Sequence, residues 1–123
     1  DRFTLDESEL RKFIGGTGLG AKFLYDEVPP ESEWSDPQNW LIFAAGPLNA
    51  TPIGGSGSVS VVSKGPLTNG AGCSQANGYF GAYLRLCGLN AIIVQGKAQS
   101  LQCKAWSIWK RIRSTSTQIR LKA

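Results

Sequence analysis

The sequence predicts an α+β domain, and three observations carry that prediction. Apolar runs of strand length, Trp40–Ala45 and Ala91–Val94, stand apart from short segments of helical periodicity. Gly- and Pro-containing turns separate these segments, and all fifteen glycines lie between residues 15 and 96. At 123 residues, 41% apolar and 18% charged, the chain is long enough for one core. It is too hydrophobic for disorder and too interrupted for a membrane span.

The elements follow in order. Asp6–Gly15 reads as a short helix: Asp6 suits the N-cap, and Glu7 and Glu9 sit in the positive first turn. Leu10, Phe13 and Ile14 fall on one apolar face, and Gly15 reads as the stop. Gly16–Ala21 opens a second helix capped by Thr17 or Gly16, with Leu19, Phe23 and Leu24 as its stripe and Val28-Pro29-Pro30 as its end. After the polar connector Glu31–Asn39, Trp40–Ala45 reads as a buried strand closed by Gly46-Pro47. The loop of residues 51–58 leads into the strand Ser58–Ser63, whose alternating valines and serines suit a half-buried sheet. Turn chemistry fills Lys64–Gly70, and Ala71–Asn77 reads as a loop. A helix is expected over Gly78–Cys87. Tyr79, Tyr83 and Leu86 lie on one side of it, and Phe80, Leu84 and Cys87 widen the apolar face. Gly88 stops that helix, and Leu89–Gln95 is a further buried strand.

Composition removes several chemistries. Without His there is no Ser-His-Asp triad, no imidazole base and no His-ligated metal. Cys73, Cys87 and Cys103 form no CxxC pair, so a zinc or iron–sulfur site built from this chain alone is not expected. Each is read first as a small buried apolar residue, in a reduced, intracellular setting. No signal segment opens the chain, and no Met is present, so the sequence reads as a piece of something longer.

The charge divides the chain. Residues 1–96 carry nine acids and six bases, whereas residues 97–123 carry seven bases and no acid. This basic tail, with Trp106 and Trp109, is open to three readings: a polyanion-binding segment, an ordinary strand pair with solvated cations, or a stretch outside the fold, such as a shifted reading frame. No nucleic-acid-binding module is recognisable, so nucleic acid is not an expected partner.

Three glycine-rich segments are the candidate binding features: Gly15–Gly20, Gly54–Ser58 and Gly70–Gly78. Such segments let backbone approach a ligand, and helix starts offer free N–H groups. They are equally the ordinary turns of an α+β domain. Gly16-x-Gly18-x-Gly20 lacks both the spacing and the preceding strand of a dinucleotide fingerprint, and no P-loop occurs.

Four segments in order resemble the N-terminal domain of the tungsten-containing aldehyde ferredoxin oxidoreductase family. They begin at Phe13 (FIGGTGLGAKFLYDEVPP), Asn39 (NWLIFAAGPL), Gly55 (GSGSVSVVSKGPLT) and Gly78 (GYFGAYLRLCGLNAIIVQGKA). The likeness covers residues 3–98, so residues 1–98 are read as part of that domain and 99–123 as a basic tail of uncertain status. The resemblance implies a twisted mixed β-sheet with short helices, half of the family's N-terminal domain. It implies a cytoplasmic enzyme that oxidises aldehydes to carboxylic acids and passes electrons to ferredoxin, with related members acting on aromatic acyl-CoA thioesters. The implied cofactor is a bis-pterin holding tungsten or molybdenum beside a [4Fe–4S] cluster ligated outside this chain. By position in the family's motifs, the cofactor-binding candidates are Ser58, Ser74, Gln75, Ala76, Asn77 and Gly78. Ser58 stands where the family usually has an Arg, and Gln75-Ala76-Asn77 where it often has Asn-Ser-Gly. No catalytic or metal-ligating residue is assigned, and the chain alone is expected to be inactive. Its expected partners are the remainder of an enzyme or a second copy. The rival reading is a small non-catalytic scaffold that binds an anion, a nucleotide or a partner chain.

Overall fold

The computed structural model describes residues 2–97 and 118–122. Strands β1 (Arg2–Phe3), β2 (Trp40–Ala45), β3 (Val59–Lys64), β4 (Ala71–Ala76), β5 (Ala91–Gln95) and β6 (Gln118–Lys122) form one mixed sheet in the order β1-β6-β5-β2-β3-β4. Every pairing is antiparallel except β1 with β6. Helices α1 (Glu7–Phe13), α2 (Gly16–Glu27) and α3 (Phe80–Leu86) complete the fold.

Period-two alternation divides the sheet into two faces. On one, Trp40, Ile42 and Ala44 of β2, Val62 of β3, and Ala91 and Ile93 of β5 meet Leu19, Phe23 and Leu24 of α2. Leu19, Phe23, Ile42, Val62 and Ile93 are essentially sealed from water. The helical stripe and the two apolar runs thus form one core, as their periodicities imply. On the other face, α3 covers only part of the sheet, with the Phe80 ring 6.0 Å from that of Phe43.

Several elements depart from the sequence-based expectation. Ala71–Ala76 is an edge strand, not a loop. The Gly65–Gly70 turn, closed by Gly65 N to Gly70 O at 2.9 Å, folds this stretch back onto β3. The third helix is shorter than Gly78–Cys87, and its expected apolar face is open. Only Gly81 and Leu84 are buried, while Tyr79, Phe80, Tyr83 and Leu86 are exposed. Cys73 and Cys87 are exposed thiols, contrary to the buried reading, and Cys103 lies outside the described residues. Gln118–Lys122 of the basic tail is a strand between β1 and β5, whereas Trp106 and Trp109 lie outside the described residues. Among the described residues, no helix is long and apolar enough to cross a membrane.

The junction of α1 and α2 also differs. Ile14, not Gly15, breaks the first helix, at φ 60° and ψ −53°. Gly15 N donates to Phe13 O at 2.6 Å, which makes a γ-turn of the strained hand about a β-branched residue. This turns Ile14 outward, so only Leu10 and Phe13 of the expected face pack on the core. Gly15, rather than Gly16 or Thr17, caps α2.

Lys22 pins the two helices together. Its ammonium lies 2.8 Å from Glu9 of α1, is paired with Asp26 of α2, and sits 5.5 Å from the centre of the Phe13 ring. The hydrogen bond it donates to Asp26, then that to Glu9, raises its pKa above the ordinary 10.5. A raised lysine pKa stabilises the fold fully below the unfolded-state value, and that contribution fades as pH climbs through the folded-state value. We therefore expect the urea midpoint of the wild-type chain to fall above pH 10.5 more steeply than that of Lys22→Met. Parallel pH profiles would contradict this.

Candidate functional site

The pairing of Val59 with Ala76 brings the residues just beyond them, Ser58 and Asn77, together at one end of the β3–β4 ladder. Ser58 Oγ lies 2.8 Å from Asn77 Oδ1 and 3.1 Å from the Gly55 carbonyl, so one hydroxyl hydrogen serves two acceptors. Backbone meets backbone here. A Cβ on Gly57 would overlap the Gly78 carbonyl, and one on Gly81 would overlap Asn49 Nδ2 and the Ser58 carbonyl. Gly81 N donates to Gly57 O at 3.0 Å, and Asn49 Nδ2 donates to Ser58 O at 2.7 Å. Asn49, 8% exposed, thereby ties the turn after β2 to the loop before β3.

The start of α2 closes the opposite wall. Thr17 Oγ1 stands 3.2 Å from Ser60 Oγ on β3 and 3.0 Å from Cys73 Sγ on β4. The Gly15–Gly18 bend, the Gly46–Asn49 turn, Ser58, Ser60 and Gln75 line a cavity of about 350 Å³. No charged side chain lines it; its polar groups are hydroxyls, amides and backbone. A second cavity of about 380 Å³ shares Gly15, Gly46 and Pro47 with the first and carries Arg11 and Arg85.

The two bends ahead of the valine-rich strand and the Phe80 helix therefore converge. Of the residues proposed from sequence, Ser58 and Gln75 line the cavity, Asn77 is held by Ser58, and Gly78 packs on Gly57. Ser74 and Ala76 do not join them. Gln75 and Cys73 share the α2 side of β4, so strand alternation places Ser74 and Ala76 on the reverse face. The loop reading had allowed all of these residues to converge; a strand cannot. Sequence reasoning missed Thr17 as more than a cap, and missed Asn49 and Ser60 altogether. Among the described residues, no group of three His, Cys, Asp or Glu side chains could hold a metal ion.

Comparison with known proteins bears on the fold and the family. Residues 1–108 match the family described as "Aldehyde ferredoxin oxidoreductase, N-terminal domain". The chain is 42% identical over 95 residues to the tungsten-containing aldehyde ferredoxin oxidoreductase of Pyrococcus horikoshii, covering 77% of this chain and 16% of that protein. It is 38% identical over 99 residues to the "Aliphatic sulfonate oxidoreductase, WOR-like subunit" of Pyrococcus furiosus, covering 78% of this chain and 16% of that one. Among solved structures it resembles the active-site complex BamBC of benzoyl coenzyme A reductase in complex with 1,5-dienoyl-CoA. That match has a TM-score of 0.74 and 38% identity, over 79% of this chain and 15% of the other. The chain thus spans about one-sixth of the length of these relatives. A family match over most of the chain, with a relative 42% identical over 77% of it, shows that this chain belongs to the aldehyde ferredoxin oxidoreductase family.

Proposed function

We propose that residues 1–98 supply pterin-seating loops to a tungsten-dependent oxidoreductase, and that the chain alone performs no turnover. The observation that carries this reading is the meeting of three glycine-rich segments at one cavity that no charged side chain lines and whose hydrogen-bonding groups are hydroxyls, amides and backbone. A pterin presents a flat ring edged with hydrogen-bond donors and acceptors. Hydroxyls of Thr17, Ser58 and Ser60 and the amide of Gln75 match that edge in kind, and glycine walls leave room for the ring. The donor set therefore fits the pterin. It contains no Lys or Arg for a cofactor phosphate, which would have to be held by residues beyond this cavity.

When bound, the metal–pterin would supply the redox chemistry. In the complete enzyme the proposed reaction is the two-electron oxidation of an aldehyde and water to a carboxylic acid and two protons, with ferredoxin as the electron acceptor; a [4Fe–4S] cluster ligated outside this chain would supply the electron relay. A cytoplasmic setting is proposed with it. What this chain does is bind and orient. Asn49 and the Gly57–Gly78 contact fix the loop before β3, and Ser58 and Gln75 present polar atoms to the ring.

The reading is tested by titrating the 123-residue chain with a free pterin and following quenching of pterin fluorescence. Saturable quenching is expected, weakened about tenfold or more in the double variant Ser58→Ala/Gln75→Ala, as loss of two hydrogen bonds implies. Absence of quenching, or equal quenching by the variant, would remove the assignment. Aldehyde turnover by the 123 residues supplied with tungstopterin would defeat the partial-enzyme reading.

A further inference from the structure

The cavity beside the proposed pterin groove differs from it in carrying charged side chains. Its walls are largely apolar, from Leu10, Ile14, Leu19 and Pro47, and its charged lining residues are Glu7, Arg11 and Arg85. Glu7 and Arg11 neutralise each other: Arg11 Nη2 and Nε stand 2.9 and 3.2 Å from Glu7 Oε1. Arg85 is different. It is half-buried, and it donates to the neutral side-chain amide oxygen Oδ1 of Asn90. Among the described residues no carboxylate pairs with it. The cavity therefore holds one uncompensated positive charge against an apolar wall.

A guanidinium at the edge of low-dielectric surroundings gains most from an anion that can take two of its five N–H donors in one plane. A single net charge favours a monoanion over a dianion, because the second negative charge of a dianion would have no free cation to meet in a cavity where Arg11 is already paired with Glu7. Apolar walls favour an anion with a hydrocarbon body over a bare inorganic ion. The geometry points to a second binding site in this chain, in which Arg85 receives the carboxylate of a small monocarboxylic acid and Leu10, Ile14 and Pro47 hold its hydrocarbon body.

This goes beyond the pterin reading and shares no polar side chain with it, since Arg85, Asn90, Glu7 and Arg11 are absent from the first cavity. Its failure would leave that reading untouched.

The test is a titration of the ¹⁵N-labelled 123-residue chain with benzoate, benzamide, acetate and inorganic phosphate, followed by NMR. Benzoate is expected to shift the Gly15, Gly46 and Asn90 amides saturably, with a dissociation constant on the order of 1 mM. Acetate and phosphate should bind at least about tenfold more weakly, and benzamide should not saturate. Arg85→Gln should weaken benzoate about tenfold or more with the spectrum otherwise retained. Arg85→Lys, which keeps the charge, should weaken it about threefold. Benzamide binding as well as benzoate, phosphate binding better than benzoate, or an unaltered affinity in Arg85→Gln would each overturn the proposal. So would an absence of shifts at Gly15, Gly46 and Asn90.

Discussion

Gly57→Ala is expected to destabilise the chain by about 3 kcal/mol, at the upper end of the usual range for forcing a methyl group into filled space. The objection is steric. The new Cβ falls on the Gly78 carbonyl oxygen and within 3.3 Å of Tyr79 Cα, both of them backbone, so no side-chain rotation can relieve it. Relief requires the loop before β3 to move away from the turn after β4, which separates Ser58 from Asn77. Gly54→Ala is the matched control: it lies in the same loop, its Cβ would meet nothing within 4 Å, and its backbone φ lies outside the left-handed range. Urea unfolding of the two variants decides the matter. If they lie within about 1 kcal/mol of each other, the close backbone contact is not what holds this end of the sheet.

The second large effect concerns Lys64. Its ammonium donates to three backbone carbonyls, those of Pro29, Pro30 and Ser32, at 3.0, 2.8 and 2.7 Å. Three acceptors around one tetrahedral donor form a tripod that closes the connector between α2 and β2 onto β3. Lys64→Met keeps the aliphatic stem and removes all three bonds. A loss of about 2 kcal/mol is expected, toward the lower end for charged donors because the Pro30 carbonyl can still reach water. Lys64→Arg should recover little, since a planar fork cannot address three carbonyls converging on one nitrogen. Hydrogen exchange at the Ser32 amide, which donates to Pro29 O, should rise in both variants. Full recovery by arginine would show that charge, not geometry, is what matters there.

The elements legible in the sequence share one property: they bury apolar side chains at a regular period. Trp40–Ala45 is bounded by Asn39 and Gly46-Pro47, and its apolar run coincides with β2. Leu19, Phe23 and Leu24 announce α2 because no other face of that segment is apolar. Ala71–Ala76 carries no such signal. Ala-Gly-Cys-Ser-Gln-Ala has no alternation to read, and it is a strand only because the turn before it delivers it to an open edge of β3. The site follows the same rule. Ser58 and Gln75 were visible beside glycine-rich motifs, whereas Thr17 and Ser60 lie 43 residues apart and acquire meaning only when α2 lands on β3. Ser74 and Ala76 were grouped with Gln75 because a loop has no faces and a strand has two. The open face of α3 is invisible to periodicity, since Tyr79, Tyr83 and Leu86 mark a stripe without saying what covers it.

The sheet order has a consequence for how the chain is made. Strands β2, β3, β4 and β5 are contiguous in space and are all present once residue 95 has left the ribosome. The β3–β4 pairing closes a short turn and can form early, whereas β2 must wait for β5, about fifty residues on. Strand β1 must wait for β6, its neighbour in the sheet. Both cavities draw only on residues 7–90, so their walls are complete before β6 is made and the β1–β6 margin of the sheet closes afterwards.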